Sequence, residues 1–209
     1  MSISAARAEL HRPTGRRPGE NQTRHDILAA ARAQFAQKGF AGATLRAIAQ
    51  AAGVDTALIH HYFASKEGMF AAAIEESFDS GRFLTDVGDS PARIATSIVT
   101  RYFDLWESAE SQQPLMAIMR SAIENDRARQ ILLNFMSNEI YDVLAPILGQ
   151  DEARLRISFV GSQLLGAAML RYIIRLEPLA SMDCAQLVAV LSTTVERYIG
   201  EDLPSRPAA

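Results

Sequence analysis

The stretch TLRAIAQAAGVDTALIHHYF, residues 44–63, leaves few folds open to this chain. Two short helical segments flank Gly53, and each begins on a side chain suited to capping, Thr44 for the first and Asp55 for the second. Helices that cross steeply through a tight turn need a small residue at their contact and a glycine in the turn. Ala49 and Gly53, four residues apart, meet both needs. Ile48, Val54 and Ile59 supply the apolar contacts that lock the second helix onto the first. With Ile59 facing inward, Thr56 and His60 share an outer strip of the second helix, and Ala57 and His61 lie beside them.

Helical signals continue along the rest of the chain. No segment alternates apolar and polar residues cleanly, and β-branched residues do not cluster between turn signals. The expected class is all-α, with an N-terminal three-helix helix-turn-helix unit, a C-terminal helical block and about nine helices altogether. A first helix is expected from Thr23, capped with Asp26 at its third position, with Ile27, Leu28, Ala31 and Phe35 as its stripe and Gly39 as its stop. Ser65 announces a fourth helix, and Ser90–Pro91 opens the next. Pro114 marks the start of a short helix over 115–123, and Pro146 the end of one over 126–145. A long helix of about 25 residues, 152–176, precedes Pro178. The last opens on Asp183 with Gln186 at its third position and ends at Gly200. The domain reading is a disordered basic arm over 1–21, the helix-turn-helix unit over 22–70, the second block over 71–200 and a tail over 201–209.

Charge separates the two parts. The net charge is −3, yet residues 1–70 hold nine Lys and Arg against five Asp and Glu, while 71–209 hold twelve against nineteen. A basic front on an acidic body points to an anionic partner for the front alone. The single cysteine, Cys184, excludes an internal disulfide and fits a reducing cytoplasm, as a buried helical thiol. The N-terminus has arginines without an apolar core, unlike a secretory signal, and the apolar run FVGSQLLGAAML is too short for a membrane span. No membrane association is expected.

Neighbouring histidines on a helix diverge by about 100°, whereas helical zinc pairs stand four apart so that both rings converge. His60 and His61 are therefore expected to hold no metal. No nucleophile and orienting acid accompany them, so an enzyme is not expected either, and no cofactor is called for. The outer strip fits DNA instead. Thr56, His60 and His61 can bond base edges in a major groove, and Ala57 can meet a thymine methyl. Thr44, Arg46, Tyr62 and Lys66 suit phosphate oxygens, and so do the N–H groups opening the fourth helix.

TLRAIAQAAGVDTALIHHYFASKEGMF resembles the TetR-type regulators of bacterial transcription, over residues 24–74. Thr44, Ile48, Ala49, Ala52, Gly53, Val54, Phe63, Ser65, Lys66 and Glu67 occupy positions of the family pattern. His60 stands where the family has tyrosine, and Tyr62 where it has histidine. The resemblance implies a cytoplasmic bacterial repressor that binds a pseudo-palindromic double-stranded DNA operator as a homodimer and is released by a small, largely apolar ligand. An activator or a ligand-independent regulator stays open as an alternative, and more remotely an enzyme or carrier using the C-terminal cavity.

The resemblance further implies a ligand cavity among the middle helices. Tyr102, Phe103, Trp106, Met116, Met119, Phe135, Met136 and Phe159 are its candidate lining, with Arg120 and Gln163 as orienting groups. An ordinary helical core accounts for most of the same residues. The last two long helices are apolar over too wide a surface for one-sided burial, and in the family such a pair meets its symmetry mate. Gly161, Ser162, Leu165, Gly166, Met169, Leu187, Leu191, Thr194 and Tyr198 are the candidate interface.

Overall fold

The computed structural model describes residues 18–78, 87–148 and 152–203, and every regular element among them is helical. Helix α1, Pro18–Gly42, begins earlier than expected. Thr23 lies inside it, and residues 18–21 belong to the helix instead of the arm. Proline suits a first helical position because its φ is preset and its missing N–H is not needed there. The rest of the arm, residues 1–17, and the end of the tail, residues 204–209, lie outside the described residues.

Gly39 breaks α1 at φ 68°, ψ 175°, although a last turn runs on to Gly42. Residues Leu45–Ala52 form α2, Thr56–Phe63 α3 and Lys66–Phe78 α4. The expected caps are in place. Thr44 Oγ1 accepts from the Ala47 N–H at 3.2 Å, Asp55 Oδ1 from Ala57 at 2.7 Å and Ser65 Oγ from Gly68 at 3.1 Å. Gly53 closes α2 in the left-handed region and returns its N–H to Ala49 and Gln50. Ile48, Ala49 and Ile59 are buried, with Val54 half-buried against them. Phe35, Phe40 and Phe70 pack beneath the unit, Phe70 meeting the other two edge-on at 5.1 and 5.0 Å.

The second block holds α5, Pro91–Glu107; α6, Ala109–Glu124; α7, Asp126–Phe135; and α8, Tyr141–Leu148, joined to α7 by a π-helical turn over Met136–Ile140. Helix α9, Ala153–Ala168, continues as a π-helical segment over Met169–Ile174, and α10 spans Cys184–Gly200. Neither proline boundary holds. Pro114 sits inside α6, which starts earlier on the Ser108 cap, and Pro146 sits inside α8. A proline removes a single hydrogen bond, and here neighbouring packing outweighs that loss. Asp183 caps α10 through Ala185 and Gln186, as expected. The continuous helix Ala153–Ile174 is 22 residues long and holds an 18-residue stretch of mean hydropathy 1.4, enough by length and composition to cross a membrane. The shorter apolar run in the sequence did not announce this.

Helix α6 joins the two parts. The break at Gly39 turns the Phe40 N–H out of the helix, where its ordinary acceptor would be the carbonyl of Ala36. Ser121 Oγ accepts that N–H at 3.0 Å, and Arg120 Nη2 donates to the Ala36 carbonyl at 3.2 Å. Adjacent residues of α6 thus satisfy both halves of one interrupted helical bond. A second joint lies at the start of α4, where Glu67 pairs with Arg127 of α7 at 3.0 Å. The Glu67 carboxyl is held below its ordinary pKa by its own backbone N–H first, then by Ser65, Arg127 and Lys66, against the opposing effect of burial.

Two outcomes check these joints. Ser121, 1 % exposed, should destabilise the protein by about 1–3 kcal/mol when changed to Ala, since a buried N–H loses its acceptor. Thermal melting measures this, and an unchanged melting temperature would refute the bond's importance. Because the folded pKa of Glu67 is lowered, its stabilisation is present above its ordinary value of 4.5 and fades as pH falls through the folded value. Glu67→Gln should therefore lower stability at neutral pH and flatten the acid limb of a stability-against-pH curve.

Candidate nucleic-acid interface

The outer strip of α3 is open. Ala57, His60 and His61 are exposed, while Thr56, in the first turn, is half-buried. Leu58, also exposed, stands one turn before His61 and was not anticipated. An apolar side chain on the outer face of so short a helix is the signal that would have found it.

His60 is oriented by the end of its own helix. Its Nδ1 lies 3.0 Å from the Ala64 carbonyl, and the Ala64 N–H returns to the His60 carbonyl at 3.0 Å. A carbonyl only accepts, so this bond places the ring proton on Nδ1 and leaves Nε2 of the neutral imidazole as an acceptor pointing elsewhere. Ala64 closes α3 at φ 60°, outside the range that alanine prefers. His61 and Tyr62 meet edge-on at 5.1 Å.

The corner between α3 and α4 is tight because of Gly68. A Cβ there would stand 2.2 Å from the Phe63 carbonyl oxygen, so only glycine lets α4 start against the end of α3. Sequence reasoning passed over this residue. Its signal was a glycine in the first turn of a helix, where propensity disfavours it.

Lys66 departs from expectation. Its ammonium donates to the carbonyls of Phe40 at 2.9 Å and Ala43 at 3.2 Å, and sits 4.6 Å from the centroid of the Phe40 ring. The charge faces the end of α1, where a left-handed break leaves carbonyls to satisfy, and not outward toward a phosphate. The start of α4 is also occupied. Ser65 takes the Gly68 N–H and the Glu67 carboxylate takes its own, so an acidic group already fills the place expected for an anion.

Thr44 and Arg46 remain exposed beside α3, and Tyr62 is half-buried at its far end. Arg24 of α1, exposed and 5.1 Å over the Phe63 ring, adds a guanidinium at that edge. Nothing distinguished it among nineteen arginines. No group of three or more His, Cys, Asp or Glu among the described residues is arranged to hold a metal ion.

The candidate pocket residues separate into three sets. Phe103, Trp106 and Phe135 are buried in the core, with Tyr102, Met119 and Met136 packed against it. Trp106 stacks on Tyr172 at 5.2 Å, whose hydroxyl donates to Glu107 at 2.7 Å. Burial pushes the Tyr102 hydroxyl up to about 12. Phe159 is 39 % exposed and stacks on Tyr198 at 5.4 Å, on an outer face, and Gln163 is half-buried nearby. Met116 and Arg120 line a cleft of about 350 Å³ between α1, α6 and the π-helical end of α9.

The candidate dimer residues are likewise redistributed. Leu187 and Leu191 are buried in the protomer's own core and are not available to a partner. Helix α10, packed chiefly against α5, buries them and leaves Val190, 62 % exposed, outside. Met169 lines the cleft. Ser162 and Gly166 face outward, Gly161, Leu165, Thr194 and Tyr198 are half-buried, and Leu155 extends the outer face of α9.

Residues 27–73 match the model for bacterial regulatory proteins of the tetR family, and residues 92–199 the tetracyclin repressor-like C-terminal domain. The regulatory protein RaaS of Mycobacterium tuberculosis is 35% identical over 99 residues, 47% of this chain and 44% of that protein. The repressor AcnR of Corynebacterium efficiens is 36% identical over 77 residues, 37% of this chain and 39% of that protein. The chain thus spans under half the length of these two curated relatives. A TetR-family regulator from Streptomyces coelicolor superposes with a TM-score of 0.70 at 35% identity, covering 90% of this chain and 99% of that one. With a reading helix at one end and the matching helical block at the other, the chain belongs to the TetR family of bacterial transcriptional regulators.

Proposed function

We propose that this chain is a cytoplasmic repressor that binds a pseudo-palindromic operator as a homodimer and leaves it when a small, largely apolar ligand occupies the C-terminal block. The orientation of His60 supports this reading most directly. With its proton committed to the Ala64 carbonyl, Nε2 accepts from the exocyclic amino group of adenine or cytosine in a major groove. Ala57 meets a thymine methyl, while Thr56 and His61 complete the base contacts. Arg46, Tyr62 and Thr44 hold phosphates; the Thr44 oxygen that accepts the Ala47 N–H still has its own proton to donate. Lys66 acts by position, fixing α4 against the end of α1.

The domain boundary is assigned to α4, whose first turn serves the reading unit and whose length reaches into the second block. The dimer forms through Leu155, Phe159, Ser162 and Gly166 of α9 with Val190 of α10. That surface accounts for a helix apolar enough for a membrane having only 22% of the residues in its most apolar stretch buried within the protomer. Two recognition helices then stand about one DNA turn apart, and the ligand shifts the population toward a spacing that no longer fits.

A footprint on the DNA beside the chain's own gene tests the reading: protection should cover a two-fold sequence and disappear with an effector. Protection of a single half-site would overturn the dimeric form. His60→Ala should relax discrimination at one or two base pairs, at about 1–3 kcal/mol there; unchanged specificity would remove His60 from the readout. Lys66→Ala should lower stability by about 2 kcal/mol, the cost of losing charged hydrogen bonds, and weaken binding to every sequence with an unaltered salt slope. A slope smaller by about one with an unchanged melting temperature would restore Lys66 to the phosphates.

A further inference from the structure

The cleft between α1, α6 and the π-helical end of α9 differs in character from the packed aromatic core. Its walls are apolar and pliable, formed by Met116, Met169 and Ile173, and its volume of about 350 Å³ suits a small molecule. Arg120 carries the only formal charge among its lining residues, with Gln113 as a neutral polar neighbour. The Arg120 guanidinium is exposed, and the hydrogen bond it makes among the described residues is a single one, to the Ala36 carbonyl, itself at the edge of the cleft. Four of its five N–H donors are thus left for a ligand.

We infer that this cleft binds an apolar monocarboxylate whose head engages Arg120, an inference that rests on the ligand-responsive reading above. A carboxylate offers paired acceptors that match the guanidinium fork, and a charge-assisted pair outcompetes a neutral carbonyl. Drawing Arg120 to the ligand takes a charged donor from Ala36. The neighbouring Ser121 meanwhile holds the Phe40 N–H. The ligand therefore acts at the seam where α6 repairs the break in α1, and the tail seated against Met116 and Met169 wedges the same seam.

Octanoate, octan-1-ol and octylammonium serve as probes against the full chain with methyl-labelled methionine. Octanoate should shift the Met116 and Met169 methyl resonances saturably. Its Kd should rise at least tenfold in Arg120→Gln and largely recover in Arg120→Lys, which keeps the charge. Octan-1-ol should bind both proteins alike and more weakly than octanoate binds the unsubstituted chain, and octylammonium should leave both resonances in place. Equal octanoate affinity in Arg120→Gln, shifts confined to other methionines, or no binding would each overturn the assignment. The footprint is read in parallel. Octanoate bound as expected with protection intact against every effector would reject the ligand-released reading and leave the cleft standing. Another compound that clears the footprint while octanoate moves neither methionine would do the reverse.

Discussion

The structure depends on how one residue, Phe40, is held where α1 breaks. Gly39 at φ 68° removes its N–H from the helix, and residues of α6, α4 and α1 itself then take its N–H, carbonyl and ring. Ser121 of α6 accepts the N–H, Lys66 of α4 donates to the carbonyl, and Phe35 and Phe70 enclose the ring while the Lys66 ammonium lies over it. Each contact satisfies something the break would otherwise leave unpaired in a poorly solvated place, which is costly. The glycine therefore does more than end a helix. It produces the exposed backbone groups through which the reading unit and the second block grip each other.

Much of the reading unit was legible because its determinants are local. Thr44, Asp55 and Ser65 cap helices that begin beside them, as Asp183 does in the second block, and such side chains choose partners two or three residues away. The burial of Ile48 and Ile59 follows from helical phase. The bonds of Lys66 were not legible because its partners, Phe40 and Ala43, lie more than twenty residues earlier, brought close by a break whose geometry periodicity does not encode. The same limit applies to α10. Apolarity marked Leu187 and Leu191, but which of α10's apolar positions are buried and which face outward depends on the docking of that helix, and Val190 is left outside with Ala185 and Ala189. Pro114 and Pro146 misled in the opposite way, since a local rule was overridden by packing.

The electrostatic joints are arranged by element. Arg32 of α1 pairs with Glu76 of α4 at 2.8 Å, inside the first part of the chain, whereas Glu67 to Arg127 and Ala36 to Arg120 cross from the first four helices to α6 and α7. The internal pair is the more shielded from solvent, and Arg127 is the most exposed of the crossing partners that form an ion pair. Exposed pairs contribute little to stability, so the Glu67–Arg127 pair is the easier of the two ion pairs to exchange. The first four helices thus hold their own ion pair internally and meet the second block on α6 and α7.

That arrangement gives the α3–α4 corner its importance. His60 is aimed by the Ala64 carbonyl, Ala64 is held in an unfavourable conformation, and Gly68 permits α4 to begin against Phe63. Lys66, between Ala64 and Gly68, ties this corner to Phe40, and Phe40 is tied in turn to Ser121 beside the cleft. A coupling between distant sites of about 1–3 kcal/mol is typical of regulated proteins, and a net hydrogen bond is worth about 1 kcal/mol. Exchanging two or three bonds along this route supplies a change of that size without unfolding any helix. The α3–α4 corner and the wall of the cleft are thus both tied to Phe40 at the broken end of α1, through Lys66 on one side and Ser121 on the other.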